Sequence, residues 1–200
     1  MFSRATPFGA WLLYDVLAPQ RTLPVVALGV AFGLARGPAL VAACALLGLG
    51  LIAGFTGEYW LLWLLDKIPG AATHFFLTGP ICYLATGLAL IAGVRLRVVL
   101  LPAAAAIVGA MLAILIRITD PSLHEPVFTG VPILIVLWIV AAFACLVRTF
   151  WRDRFPVFGR ILGSWMLAIG LLYGGVSVVP PPKPPPPPAP EFLPERLQRP

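Results

Sequence analysis

Val98-Val99-Leu100-Leu101-Pro102-Ala103-Ala104-Ala105-Ala106-Ile107-Val108-Gly109-Ala110-Met111-Leu112-Ala113-Ile114-Leu115-Ile116 contains no Asp, Glu, Lys, Arg or His. As a helix this run reaches about 28 Å at 1.5 Å per residue, close to the hydrocarbon thickness of a bilayer, about 30 Å. Its residues are apolar on every face, whereas a transmembrane β-strand would alternate apolar with polar positions. Backbone amides in lipid must also pair within their own segment, which selects helix. Four further runs have the same character: Pro38–Gly57, Phe75–Val94, Val127–Val147 and Ile161–Val179. The fold class read from them is an all-α integral membrane protein, a bundle of five transmembrane helices.

Composition agrees with that reading. The 200 residues are 60% hydrophobic and 11% charged, with a mean hydropathy of +0.96. A soluble domain carries roughly a quarter charged residues, so a water-facing surface cannot be built from this chain. The same figures exclude disorder everywhere except at the C-terminus.

The N-terminal third reads differently. Leu23–Ala35 is apolar but spans only about 20 Å as a helix, and Arg36-Gly37-Pro38 separates it from the next run. It suits a re-entrant half-helix, or a sixth span in a thinned or tilted setting; five spans are preferred. Phe8–Leu17 mixes Trp11, Tyr14 and Asp15 with apolar residues, as in a helix lying at the membrane interface. Asp15 interrupts its apolar run and no small-residue cleavage site closes it, so it is not read as a signal peptide. The chain therefore divides into an interfacial or re-entrant segment, 1–37, a transmembrane bundle, 38–179, and a tail, 180–200.

Charge orients the bundle. Alternating sides from Pro38 gives one face Arg36, Arg95, Arg97, Arg148, Arg152, Arg154 and Arg160 against one acid, Asp153. The other face receives Glu58, Asp66, Lys67, Arg117, Asp120 and Glu125. Basic residues accumulate on the cytoplasmic side, so the protein is expected in the plasma (inner) membrane with its C-terminus external, periplasmic in a two-membrane cell. Arg4 and Arg21 join the arginine side if Leu23–Ala35 does not cross. Arginines in short loops beside membrane ends imply the lipid bilayer and its anionic headgroups as partner, and no nucleic acid.

Few residues offer chemistry. Cys44, Cys82 and Cys145 have no short metal-ligand spacing and fall at different depths, so they read as small packing residues. His74 and His124 lie outside the spans, where they cannot form the axial pair of a buried haem. Glu58, Asp66, His74, Asp120, His124 and Glu125 gather on the outer face and are the candidate ligands for Zn²⁺ or Cu²⁺. A solvated loop surface is preferred for them, with no metal and no cofactor expected. Neither HExxH nor GxSxG occurs, and the spans carry no ionisable relay of the kind pumps keep. The chain is read as not an enzyme.

Small residues give the clearest positive signal. Gly29, Gly33 and Gly37, Gly50 and Gly54, Gly159 and Gly163, and Gly170 and Gly174 recur at four-residue spacing, which aligns them on one helix face. They are expected to pack helices, within the bundle or against another membrane protein. Half of the 22 prolines lie in Pro180–Pro200. Pro180–Pro190 should form a polyproline II spacer of about 34 Å, disordered in the free protein, ending in Phe192, Leu193 and Leu197 as candidate partner-binding residues. These features suggest a non-catalytic accessory, assembly or interaction subunit bound to another membrane or external protein. The alternative is a small transporter or channel for a neutral solute or metal ion.

Overall fold

The computed structural model describes residues 7–57, 60, 63, 67, 74–119, 126–150 and 155–178. Among them every regular element is helical. A short helix α1 (Pro7–Trp11) runs into a π-helical turn (Leu12–Val16) and is followed by α2 (Pro19–Leu34), α3 (Pro38–Thr56), α4 (His74–Ile91), α5 (Val94–Thr119), α6 (Pro126–Phe150) and α7 (Phe155–Val178). Helices α3, α5, α6 and α7 are long and apolar enough to cross a membrane. A fifth span results if Phe8–Tyr14 and Pro19–Leu34, bent by 67° at their break, count as one. The described residues are thus all-helical, with four to five membrane-length apolar helices among them.

The connection expected around Arg95–Arg97 is shorter than the charge pattern suggests. Helix α4 ends at Ile91 and α5 begins at Val94, so only Ala92-Gly93 links them. Arg95 and Arg97 therefore sit in the first turn of α5, while Arg117 and Arg148 sit in the last turns of α5 and α6. Long basic side chains at helix ends can carry their charge to the interface while their stems stay apolar. Four helices contain an internal proline: Pro24, Pro80, Pro102 and Pro132. Each removes one backbone donor, and all four are buried, so protein rather than lipid surrounds the interrupted ladder.

Packing runs through three close pairs, α3 with α5, α4 with α7 and α2 with α6, and α4 against α5 ties the first two together. Helix α2 also touches α4, α5 and α7, and α5 likewise meets four helices, so these two form the centre of the bundle. In α2, Val25, Ala27, Leu28, Val30, Ala31 and Phe32 are all buried. The segment 1–37, expected to be interfacial or re-entrant, thus packs through α2 against the other helices. Helix α1 turns part of its aromatic face inward. Trp11 is buried, with Phe8 and Phe128 rings at 6.0 and 5.3 Å, and Phe8 meets Phe128 edge-on at 4.8 Å. The indole N–H of Trp11 has no acceptor among the described residues.

Direction follows from matched contacts. Gly29 opposes Val140 and Phe143, and Gly33 opposes Ala144 and Val147, so α2 runs parallel to α6. Arg21 therefore lies at one end of the bundle with Gly79 and Leu115, and Arg36 lies at the other with Gly93, Arg97 and Arg160. The preferred sequence reading kept Arg21 and Arg36 on the same side because α2 is short. A helix enclosed by other helices has no need to match the lipid thickness itself, and the bent pair of α1 and α2 fits either a broken span or a re-entrant loop.

Candidate functional site

The glycine faces close the bundle. A Cβ on Gly50 would clash with the carbonyl oxygen of Ala106, and one on Gly54 would lie 2.5 Å from that of Ala110 and 2.6 Å from the Ala113 methyl. On α7, Gly159 faces Leu34 and Leu90, Gly163 faces Gly87 and Leu90, and Gly170 faces Tyr83 and Leu84. Gly174 makes only ordinary contact, its added Cβ 3.8 Å from Pro80. Small residues let backbones approach where lipid supplies no hydrophobic drive between helices. Gly37 differs from the others grouped with it. Nothing lies within 4 Å of its added Cβ, and its φ of +50° and ψ of −126° make the α2–α3 turn. Two close approaches escaped the four-residue glycine pattern. A Cβ added to Gly109, flanked at that spacing by Ala105 and Ala113, would lie 2.6 Å from the Leu47 carbonyl oxygen, and one added to Gly87 would lie 2.9 Å from that of Gly163. Counting alanine as a small residue would have found Gly109; Gly87 has no such neighbour in sequence.

Hydroxyls within the helices are engaged locally. Thr56 donates to Ile52 O, Thr119 to Leu115 O and Ser164 to Ile161 O, each at 2.8 Å, and buried Thr86 donates to Cys82 O at 2.7 Å. Bonding back to the same helix lowers the cost of a polar group in apolar surroundings.

The outer-face set is largely outside the described residues: Glu58, Asp66, Asp120, His124 and Glu125 all fall there, and for His74 only the backbone at the start of α4 is described. Among the described residues no three His, Cys, Asp or Glu side chains come together. The tail with Phe192, Leu193 and Leu197 also lies outside the described residues, as do Arg4, Arg152, Asp153 and Arg154.

Two cavities stand out. One is an apolar groove of about 480 Å³ between α3 and α6, floored by Phe32. Cys44 and Gly48 line its α3 wall, Ala141 and Cys145 its α6 wall, each pair four residues apart, and Arg148 lies at one end. It exists because α3 leans on α5 while α6 leans on α2. Only 28% of the α3 span and 22% of the α6 span is buried, against 67% of α5, so both walls face outward. Both thiols are free and exposed.

The second cavity, about 270 Å³, lies at the arginine-rich end and is bordered by Arg36, Arg97 and Arg160. Arg97 is held by the end of α4: Nε donates to Ala89 O at 3.4 Å, and Nη2 donates to Leu90 O at 3.2 Å and Ala92 O at 3.1 Å. A guanidinium there satisfies carbonyls that the helix leaves unpaired. Arg148 does the same for α2, donating from Nη2 to Ala35 O at 3.2 Å. No family model, curated protein or solved structure matches the chain.

Proposed function

We propose that the chain is a non-catalytic subunit of a membrane complex, receiving a transmembrane helix of its partner in the groove between α3 and α6. One observation carries this: the groove is walled on both sides by small residues at four-residue spacing, Cys44/Gly48 and Ala141/Cys145. That pattern permits close helix approach in lipid. The glycine seams between α3 and α5 and between α4 and α7 are already filled by the bundle, whereas the groove offers small residues on two facing helices that the described residues leave uncovered. The proposal includes six crossings of the plasma (inner) membrane, the arginine end cytoplasmic, and both termini external. The opposed positions of Arg21 and Arg36 support the added crossing. The proline-rich tail then extends on the external side, where it adds a second contact.

Purification of tagged protein from its own membranes in mild detergent tests this. A stoichiometric membrane protein is expected with the wild type and should be lost with Gly48→Leu and with Ala141→Leu, whose new side chains project into open space and leave thermal stability intact. Retention of the partner by both variants contradicts the groove. Solute flux into liposomes carrying the purified chain alone would instead favour the transporter reading.

A further inference from the structure

We propose that the cavity at the arginine end binds a phosphate ester of net negative charge through Arg36, Arg97 and Arg160. Three separate parts of the chain deliver these cations to one cavity: the α2–α3 turn, the first turn of α5 and the second turn of α7. Arg36 and Arg160 are exposed, and none of the three has an acidic partner among the described residues. Arg97 is fixed by its three bonds to the end of α4, and these use only Nε and Nη2, leaving Nη1 with its hydrogens uncommitted among the described residues. The planar guanidinium is suited to phosphate oxygens.

Backbone adds to the same field. Helices α3 and α5 both begin at the cavity, where Ala39 and Val94 line it, so two positive dipole ends meet the three guanidinium groups. The opposing negative ends are covered, that of α4 by Arg97 and that of α2 by Arg148. Like charges gathered around a cavity repel one another, and an anion between them converts that repulsion into attraction. A volume of about 270 Å³ accommodates a phosphate with a short polyol. Apolar Leu34 and Val98 on its wall suit the beginning of an acyl chain. The ester is supplied either by an anionic phospholipid headgroup or by a free phosphorylated solute. Diffuse attraction of basic loops to a membrane is different, because it counts every arginine at that end equally.

Full-length protein, purified in a neutral detergent and freed of lipid, is titrated with dioctanoyl phosphatidylglycerol, dioctanoyl phosphatidylcholine, glycerol phosphate and inorganic phosphate while thermal stability is followed. Phosphatidylglycerol is expected to stabilise saturably and at least tenfold more tightly than phosphatidylcholine. Arg36→Gln and Arg160→Gln should each weaken this roughly tenfold, the scale of one charge-assisted contact. Arg95→Gln, at the same end but outside the cavity lining, should leave it unchanged. Saturable stabilisation by glycerol phosphate or inorganic phosphate, lost in the same two variants, identifies a soluble ester as sufficient; stabilisation by the lipid alone identifies the headgroup. Equal effects of phosphatidylglycerol and phosphatidylcholine, equal weakening by Arg95→Gln, or no weakening by Arg36→Gln and Arg160→Gln would overturn the site.

Discussion

Gly37 and Gly54 are both glycines for reasons their neighbours do not share. At Gly37 the backbone conformation itself excludes a side chain, since φ is +50° with ψ of −126°. Gly37→Ala should cost about 1–3 kcal/mol although nothing surrounds the site. At Gly54 the backbone is ordinary helix and the obstacle is the Ala110 carbonyl, 2.5 Å from the added carbon. Gly54→Ala should also cost about 1–3 kcal/mol, because carbonyl and helix must separate. Gly130 on α6 meets nothing within 4 Å, so Gly130→Ala should be neutral or stabilise by up to about 1 kcal/mol. Reversible unfolding in mixed micelles measures all three. The four-residue spacing in the sequence shows which face is small. It does not say whether that face meets a helix, a turn or open space, and Gly37 and Gly48 are where this matters.

Among the elements, α2 carries the largest difference between sequence and structure. The four membrane-length helices are legible directly, because a charge-free run of bilayer length is the physical requirement for facing lipid. Helix α2 is buried along Pro24–Gly33 except at Val26, so a length rule for lipid-facing helices underrates it. Leu28 is fully buried in α2, whereas Leu172 on α7 is 68% exposed. Leu28→Ala should lower stability by about 2–5 kcal/mol, and Leu172→Ala, which opens no cavity, should change it by less than about 0.5 kcal/mol. Thermal midpoints of the two variants in one detergent decide the matter; similar losses would mean that α2 is not the core. The groove was equally illegible, since it depends on which neighbours α3 and α6 choose, and Cys44 and Cys145 are far apart in sequence.

At the scale of the whole molecule, the arginines carry a bias in number from which sidedness is proposed, and three of them are gathered by the fold at one cavity. The sequence displays the first property because it is additive along the chain. Convergence of Arg36, Arg97 and Arg160 requires the α2–α3 turn to meet the beginnings of α5 and α7, which no spacing reveals. The proposed topology requires that α2 cross the membrane and deliver its C-terminus to the arginine end. The direct measurement is side-specific labelling of single cysteines in a Cys44→Ala, Cys82→Ala, Cys145→Ala background, with Gln20→Cys and Gly93→Cys, both exposed positions, as reporters. A membrane-impermeant maleimide applied to intact cells should label Gln20→Cys, while Gly93→Cys should react only after the membrane is opened. Labelling of both from the same side would mean that α2 does not cross, and would contradict the account.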